Sequence, residues 1–296
     1  MEILVCICTY KRNNSLIDCL KTFERAIIPT SIKIKFLIVD NTINGGAKKT
    51  LKYFSKNFKF KIRYFNEKRR GIVFARNKCL KELRNINCQF VAFFDDDGLI
   101  DKYWFVNFIK TINEKNYKIL TGPQIHKKYN IGSIFEKRVN KDSSYVNWAA
   151  TNNVIIEKQL IKSSNIFFDH NLNKFGMGED QLFFLKLNKL GHKIYWEKSL
   201  KVYEKLHSHR KGIRWLIERS FRLGVLGNHI DKKIYGLLFG FLINYLKCFY
   251  YFGCSILAIC SPLQKYYKYK ILNYFFTSVG RMVGPIIFKK IKFYKQ

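Results

Sequence analysis

Four short apolar runs, residues 3–8, 34–39, 61–65 and 90–94, recur through the first third of the chain with helix-like stretches between them. Each run is rich in Ile, Val and Phe and has the length of a strand. Leu16, Leu20, Phe23 and Ile27 keep helical spacing behind a cap at Asn14 or Ser15, and Cys79, Leu80, Leu83 and Ile86 do the same after Gly71. Strands alternating with helices build right-handed βαβ units, so the pattern predicts an α/β fold: a largely parallel, twisted sheet covered on both faces. Ligands bind such sheets at the carboxyl ends of the strands. The residues just after each run are therefore the first place to look for chemistry.

The middle of the chain, 117–210, is less regular, with strands expected near 117–120, 153–156 and 200–203 and a helix over 181–190 ended by Gly191. Another helix is expected over 215–226. Beyond Asp231 the character changes: 235–260 is apolar apart from Asn244 and Lys247, and the last 65 residues carry 11 Lys or Arg and no acid. A catalytic domain over 1–225 followed by a helical, membrane-associating segment over 226–296 is the expected organisation.

At 296 residues, 48% apolar and 17% aromatic, the chain can bury a sizeable core and is no disordered polymer. Its net charge of +33 favours an anionic partner: nucleic acid, an anionic membrane surface or a phosphorylated small molecule. Lys, Asn, Ile, Phe and Tyr are also what an A/T-rich coding sequence yields, so where the charge sits weighs more than its total. Eight cysteines without a C-x-x-C pair read as buried thiols of a reducing compartment. The start at Met1 lacks the basic opening and long apolar core of a secretory signal, which places the catalytic part in the cytoplasm.

The strongest local signal is Phe94-Asp95-Asp96-Asp97-Gly98. Three consecutive carboxylates at a strand end are mutually unfavourable unless a cation neutralises them, and Mg²⁺ or Mn²⁺ beside a diphosphate takes such oxygen ligands. A second acid, Asp40, ends the 34–39 run, where it can accept from a base or ribose or simply start a turn. Gly71 allows close backbone approach at a helix start that favours an anion, with Arg76 about a turn further on. In Gly176-Met177-Gly178-Glu179-Asp180, two acids follow a flexible loop at a helix start; they complement the helix dipole, or one is a general base. His207-x-His209 offers a further metal ligand, with no acid or Cys nearby to complete a cluster.

Taken together, these residues resemble family 2 of the inverting glycosyltransferases, which have the nucleotide-sugar-binding fold called GT-A. The likeness runs over 1–225: Cys8 through Arg12, Val39-Asp40-Asn41, Gly71 through Asn77, Asp95 to Asp97 as the D-x-D element, Thr151 through Val154 and Gly178-Glu179-Asp180. Val202-Tyr203-Glu204, Arg214-Trp215 and Arg219 through Gly224 look like bacterial enzymes that extend exopolysaccharide or lipopolysaccharide. The resemblance implies a hexosyltransferase-type enzyme moving one sugar, with inversion, from a nucleoside-diphosphate-sugar, most commonly UDP-linked, to a glycan or lipid-linked acceptor. It implies Asp180, or its neighbour Glu179, as catalytic base. Asp97 with Asp95 or Asp96 would hold the metal. Thr9, Arg12, Asp40, Gly71, Arg76, Asp95 and Asp96 would surround the nucleotide-sugar, and Trp148, Asn152 and Asn153 the acceptor. The Q-x-x-R-W element of processive synthases reads Lys211-Gly212-Ile213-Arg214-Trp215 here, which favours single transfer.

Two other classes remain in view. The run 48–70 holds ten basic residues and one acid with aromatics interleaved, as a nucleic-acid-binding surface would, but without a recognition motif. An inactive scaffold in envelope assembly would keep the same fold. For the C-terminal segment, a two-span hairpin would place Lys265, Lys268 and Lys270 outside and violate the positive-inside rule. Breaks at Asn244, Lys247, Arg281 and Pro285 favour helices lying in the interface, hence a peripheral or monotopic protein on the cytoplasmic face of the inner membrane.

Overall fold

The computed structural model describes residues 1–127, 142–205, 212–261 and 264–291. The four apolar runs are strands β1 (Glu2–Thr9), β2 (Lys33–Asp40), β3 (Lys61–Asn66) and β4 (Phe90–Asp95), each a residue or two longer than periodicity predicts. Between them lie α1 (Asn13–Arg25), α2 (Lys48–Phe54) and α3 (Ile72–Glu82). Then follow β5 (Gly98–Ile100), α4 (Trp104–Lys115), β6 (Ile119–Thr121), β7 (Gln124–Lys127), β8 (Ser144–Val146) and β9 (Asn153–Glu157). After α5 (Lys158–Ser164) come α6 (Glu179–Lys189), β10 (Ile194–Trp196) and β11 (Val202–Lys205).

The main sheet has the order β3-β2-β1-β4-β9-β6-β10-β8, and a smaller one the order β5-β11-β7. β3, β2, β1 and β4 are parallel, while β9 is antiparallel to both β4 and β6, so the sheet is mixed but mostly parallel where it was expected to be. Alternate residues feed two cores. Ile3, Val5 and Ile7 face α1 and α4 with Phe23, Trp104 and Phe108, whereas Leu4 and Cys6 face the side of Val73, Leu80, Phe183 and Phe184. Period-two patterning with both faces apolar is what a sheet buried between helical layers requires. β3 lies at the sheet edge, and its outward Lys61 and Arg63 blunt that edge, which accounts for part of the basic run 48–70.

The chain order places β2 and β3 to one side of β1 and β4 to the other. Thr9 of β1 therefore lies beside Asp40 of β2, and Cys8 beside Asp95 of β4. That reversal of direction at the carboxyl ends of β1 and β4 opens a crevice of the kind in which open α/β sheets take ligands.

Three long helices close the described chain: α7 (Ile213–Tyr235), α8 (Leu237–Cys260) and α9 (Gln264–Ile287). The expected boundary at 225 falls inside α7, which runs through it unbroken. Asn244 meets Arg281 and Cys248 meets Ser278, so α8 runs against α9; Ser220 meets Asn273 and Asp231 meets Arg281, so α7 and α9 run together. The crossing of α7 and α9 is glycine-lined. A Cβ on Gly224 would sit 2.3 Å from the Thr277 carbonyl, and one on Gly280 2.2 Å from that of Phe221. Asn244, Lys247 and Arg281, taken from the sequence as interruptions of apolar segments, all point inward. Asp231 accepts from Arg281 at 2.8 Å and from Lys247 at 2.6 Å, and Asn244 Nδ2 donates to the Arg281 carbonyl at 3.0 Å. They pair the helices with each other and do not mark where an apolar segment ends.

Candidate active site

Thr9 at the end of β1 donates its hydroxyl to Asp96 Oδ2 at 2.8 Å. Arg12, at the start of α1, grips the same acid through Oδ1 at 2.7 Å and Asp97 at 2.6 Å. Asp96 and Asp97 are buried; the Asp95 side chain, 36% exposed, is the member of the triplet that opens to the cleft. Burial pushes the Asp96 carboxyl up to about 7, against the pull of Arg12 and Thr9, and raises Asp95 too despite Arg76 nearby.

Arg76, on the second turn of α3, is buried and links the two halves of the site. Its guanidinium pairs with Glu179 and lies 3.6 Å from Asp95. Glu179 and Asp180 begin α6 behind Gly176 and Gly178, both at positive φ (61° and 87°), which any side chain would strain. Glu179 is buried and raised by desolvation, with Arg76 opposing. Asp180 is only half-buried; its carboxylate accepts from the Gln181 amide at 2.7 Å and faces open space.

Two clefts meet at this link. One, of about 500 Å³, is lined by Thr9, Arg12, Asn41, Gly71, Asp95 and Asn173; the other, about 630 Å³, by Gln124, Trp148, Asn152, Asp180, Trp196 and Arg219. Arg76, Gly176 and Glu179 line both. Several buried polar atoms there have no hydrogen-bond partner among the described residues: Asn173 Oδ1 in the first cleft, Trp196 Nε1 in the second and Glu179 Oε2 between them. Buried polar groups are normally satisfied, so unmet ones lining a groove are what a site shaped for a polar ligand looks like.

A family model described as glycosyl transferase family 2 matches residues 4–175, more than half the chain. The chain belongs to glycosyl transferase family 2. A search of curated proteins finds no match. Among solved structures, S. aureus TarS 1–349 in complex with UDP-GlcNAc is 16% identical, with a TM-score of 0.59 over 100% of this chain and 93% of that one. The mannosyltransferase PcManGT from Pyrobaculum calidifontis, in complex with GDP-Man and Mn²⁺, is 14% identical with a TM-score of 0.62, covering 98% of this chain and 88% of that one. GalNAc-T7 with UDP, GalNAc and Mn²⁺ is 14% identical at a TM-score of 0.59, over 79% and 50%. This chain spans 42% of the longer TarS structure. These likenesses show a shared GT-A fold, as expected from the sequence.

Within this family member the structure gathers Thr9, Arg12, Gly71, Arg76, Asp95, Glu179, Asp180, Trp148 and Asn152 around the paired clefts. Three expected ligands are turned elsewhere, the first being Asp96, which is fully buried, held by Thr9 and Arg12, and lines neither cleft. Asp40 is fully buried, and its two oxygens accept from the amides of Thr42 and Ala47 and the hydroxyls of Thr42 and Tyr64. It shapes the loop after β2 and leaves Asn41 to line the cleft. Asn153 is fully buried too, accepting from Trp104 Nε1 and donating to the carbonyls of Pro123 and Leu200. It ties β9 to neighbouring loops and reaches no acceptor.

Asp97, expected as a metal ligand, is turned toward Arg12, and Asp95 holds the cleft position. His207 and His209 lie outside the described residues. Sequence reasoning missed Asn173 and Trp196 because neither sits in a motif. Arg219 did carry a signal, as the first residue of the Arg219–Gly224 stretch.

Proposed function

We propose that this enzyme moves one sugar from a nucleoside-diphosphate-sugar, UDP-linked by preference, to a hydroxyl of a glycan or lipid-linked acceptor in cell-envelope polysaccharide assembly, with inversion. The observation that carries the reading is the partition of the groove. Asp95 faces one cleft, Asp180 faces the other, and the Arg76–Glu179 pair forms the wall between them.

In this reading the donor occupies the cleft of Thr9, Gly71 and Asp95. The N-terminus of α3 opens there behind Gly71, whose own amide is held by Asn41 Oδ1 at 2.7 Å, and it offers its dipole to a diphosphate. The acceptor lies in the cleft of Trp148, Asn152 and Trp196. Asp180 takes the proton from the acceptor hydroxyl as that oxygen attacks the anomeric carbon; the bond to the diphosphate breaks on the opposite face, and configuration inverts. Arg76 stays protonated and fixes Glu179, so Asp180 is the acid free to move a proton.

The residues fit a divalent cation. Asp95, Asp96, Asp97, Glu179 and Asp180 crowd one region with Arg12 and Arg76 as their paired cations, which leaves excess negative charge. Among the described residues no three acids, His or Cys converge as a ready-made metal cage. Asp95, with Asp97 beside it, is the side chain that would hold Mg²⁺ or Mn²⁺ together with water and diphosphate oxygens. When bound, the cation would supply positive charge to offset that of the departing diphosphate. PcManGT and GalNAc-T7 were solved with Mn²⁺, which supports this choice.

A thermal-shift screen of UDP-, GDP- and dTDP-sugars with and without Mn²⁺ tests the reading. A ligand at 100 times its Kd stabilises by about 2.7 kcal/mol. Failure of every sugar nucleotide to shift unfolding, with or without metal, would sink it.

A further inference from the structure

Helix α8 is built inside out. Its buried residues are Gly240, Asn244, Cys248 and Ser255, one stripe of small or polar side chains turned toward α7 and α9. Its large apolar side chains face away. Leu238 and Leu257 are 78% and 73% exposed, and Phe239, Leu242, Leu246 and Phe249 are exposed with them. A helix that packs on a water-soluble core does the reverse, because burying Leu and Phe is what drives that packing. Here the helices are joined instead by the glycine crossing and by the Asp231–Arg281–Lys247 network, and among the described residues none covers the oily side. The exposed face is continuous along 24 residues, long enough at 1.5 Å per residue to extend about 36 Å. That is far beyond the scattered apolar residues of an ordinary surface.

Charge identifies what covers it. Lys232 and Lys233 close α7 and Lys289 and Lys290 follow α9, at the end where α8 begins; Lys268 and Lys270 lie on the first turns of α9, near where α8 ends. No acid follows Asp231 in the sequence, and Asp231 itself is spent on Arg281 and Lys247. A long apolar face with cations at both ends and no anion complements a bilayer of anionic headgroups, with the helix lying along the surface and its lysines at headgroup level. A second copy of the chain would bring the same positive ends into contact and is disfavoured by like charge.

We propose that the outward face of α8 docks this protein on an anionic lipid bilayer, lengthwise and from one side. Docking also orients the groove. Arg219 and Leu223, which line the Asp180 cleft, belong to α7, which packs directly on α8. A sugar carried on a membrane lipid would therefore reach Asp180 from the docked side. This last step rests on the transferase reading; the docking itself does not.

The test is flotation of the full-length protein with phosphatidylcholine vesicles with and without phosphatidylglycerol, beside the Leu238→Glu/Phe249→Glu double variant. Both side chains are exposed, so the variant keeps its unfolding temperature and its thermal shift with sugar nucleotide. The wild type floats with the anionic vesicles, and less so as salt rises. The variant loses at least about tenfold of that binding, since it removes two exposed apolar side chains that the bilayer would bury. Wild type that stays at the bottom with both vesicle types, equal flotation with neutral vesicles, or a variant that floats as well as wild type would each overturn the proposal. So would a wild-type dimer in gel filtration that the same two substitutions convert to monomer, because the face would then belong to a second copy. Wild type that fails to float yet keeps its sugar-nucleotide shift sinks docking alone, whereas wild type that floats but shows no shift sinks the transferase reading alone.

Discussion

Glu179 and Asp180 are neighbours at the head of one helix, yet their surroundings give them different work. Glu179 is buried against Arg76, while Asp180 opens to the second cleft. Glu179→Gln is expected to lower stability by about 3–5 kcal/mol, because it leaves the Arg76 charge buried with a weakened partner. Asp180→Asn should leave the unfolding midpoint and donor binding near wild type and reduce turnover at least about a hundredfold. Thermal denaturation and steady-state rates on both variants check this, and an active Asp180→Asn enzyme would mean the wrong acid was chosen.

Asp96 makes a separate prediction for the metal-free protein. Its carboxyl titrates near 7 when folded and near the ordinary 3.8 when unfolded, so between those values the folded state holds the extra proton. Stability therefore falls as pH rises from about 4 to about 7, by at most about 1.4 kcal/mol per pH unit from this group, and then levels. Asp96→Asn should flatten that fall in a series of melts; an unchanged slope would deny Asp96 the role. At this scale the sequence showed which acids end strands but not where their oxygens point. Asp40 and Asp95 each end a strand that flanks β1, yet four donors from its own loop and from Tyr64 saturate Asp40, and nothing local to the sequence announces that.

Among the elements, those legible beforehand are the ones whose pattern repeats several times. β1 to β4 and α1 were readable because apolar residues recur along them, and β6 was expected near 117–120, whereas β5, β8 and β10 are three residues each, too short for any period to register. The start of α3 was readable through Gly71, and the structure adds a reason that sequence could not contain. Gly71 has φ 132°, and a Cβ there would fall 1.9 Å from Asn173 Oδ1, a residue about a hundred positions away. Gly71→Ala must therefore strain its backbone and push back the turn that precedes Gly176. A loss of about 1–3 kcal/mol in stability is expected, together with weaker sugar-nucleotide binding, since the same turn lines the donor cleft. Calorimetric melting and a nucleotide titration of the variant measure the two effects. Loss of stability with unchanged affinity would show that the glycine serves packing alone. Asn153→Ala is the converse case: three buried hydrogen bonds disappear, so stability should fall while the acceptor KM stays put.

Across the whole molecule, the C-terminal helices are tied to the loop that leads into Asp180. Phe288, just past α9, stacks on His229 of α7 at 4.5 Å and on Phe175 at 5.0 Å, and its carbonyl accepts from Lys174. His229 in turn pairs with Asp169 at 3.0 Å, and Leu226 packs where a Cβ on Gly178 would sit. Residues 169–178 are thus held from the side of the helical unit, and Asp180 follows them directly. The cleft of Thr9, Gly71 and Asp95, proposed for the donor, is by contrast lined by residues of the sheet ends, α3 and the loop before α6, and by none of α7, α8 or α9. A disturbance of the helical unit should accordingly reach the chemical step before it reaches donor binding. Phe288→Ala removes both aromatic stacks and keeps the backbone carbonyl; losing contacts worth about 1 kcal/mol is expected to lower turnover up to about fivefold. The Kd for sugar nucleotide should stay at its wild-type value in the same preparation. Unchanged turnover alongside a lowered melting temperature would mean that the three helices anchor the enzyme without steadying its base, and that catalysis is confined to the sheet and its loops.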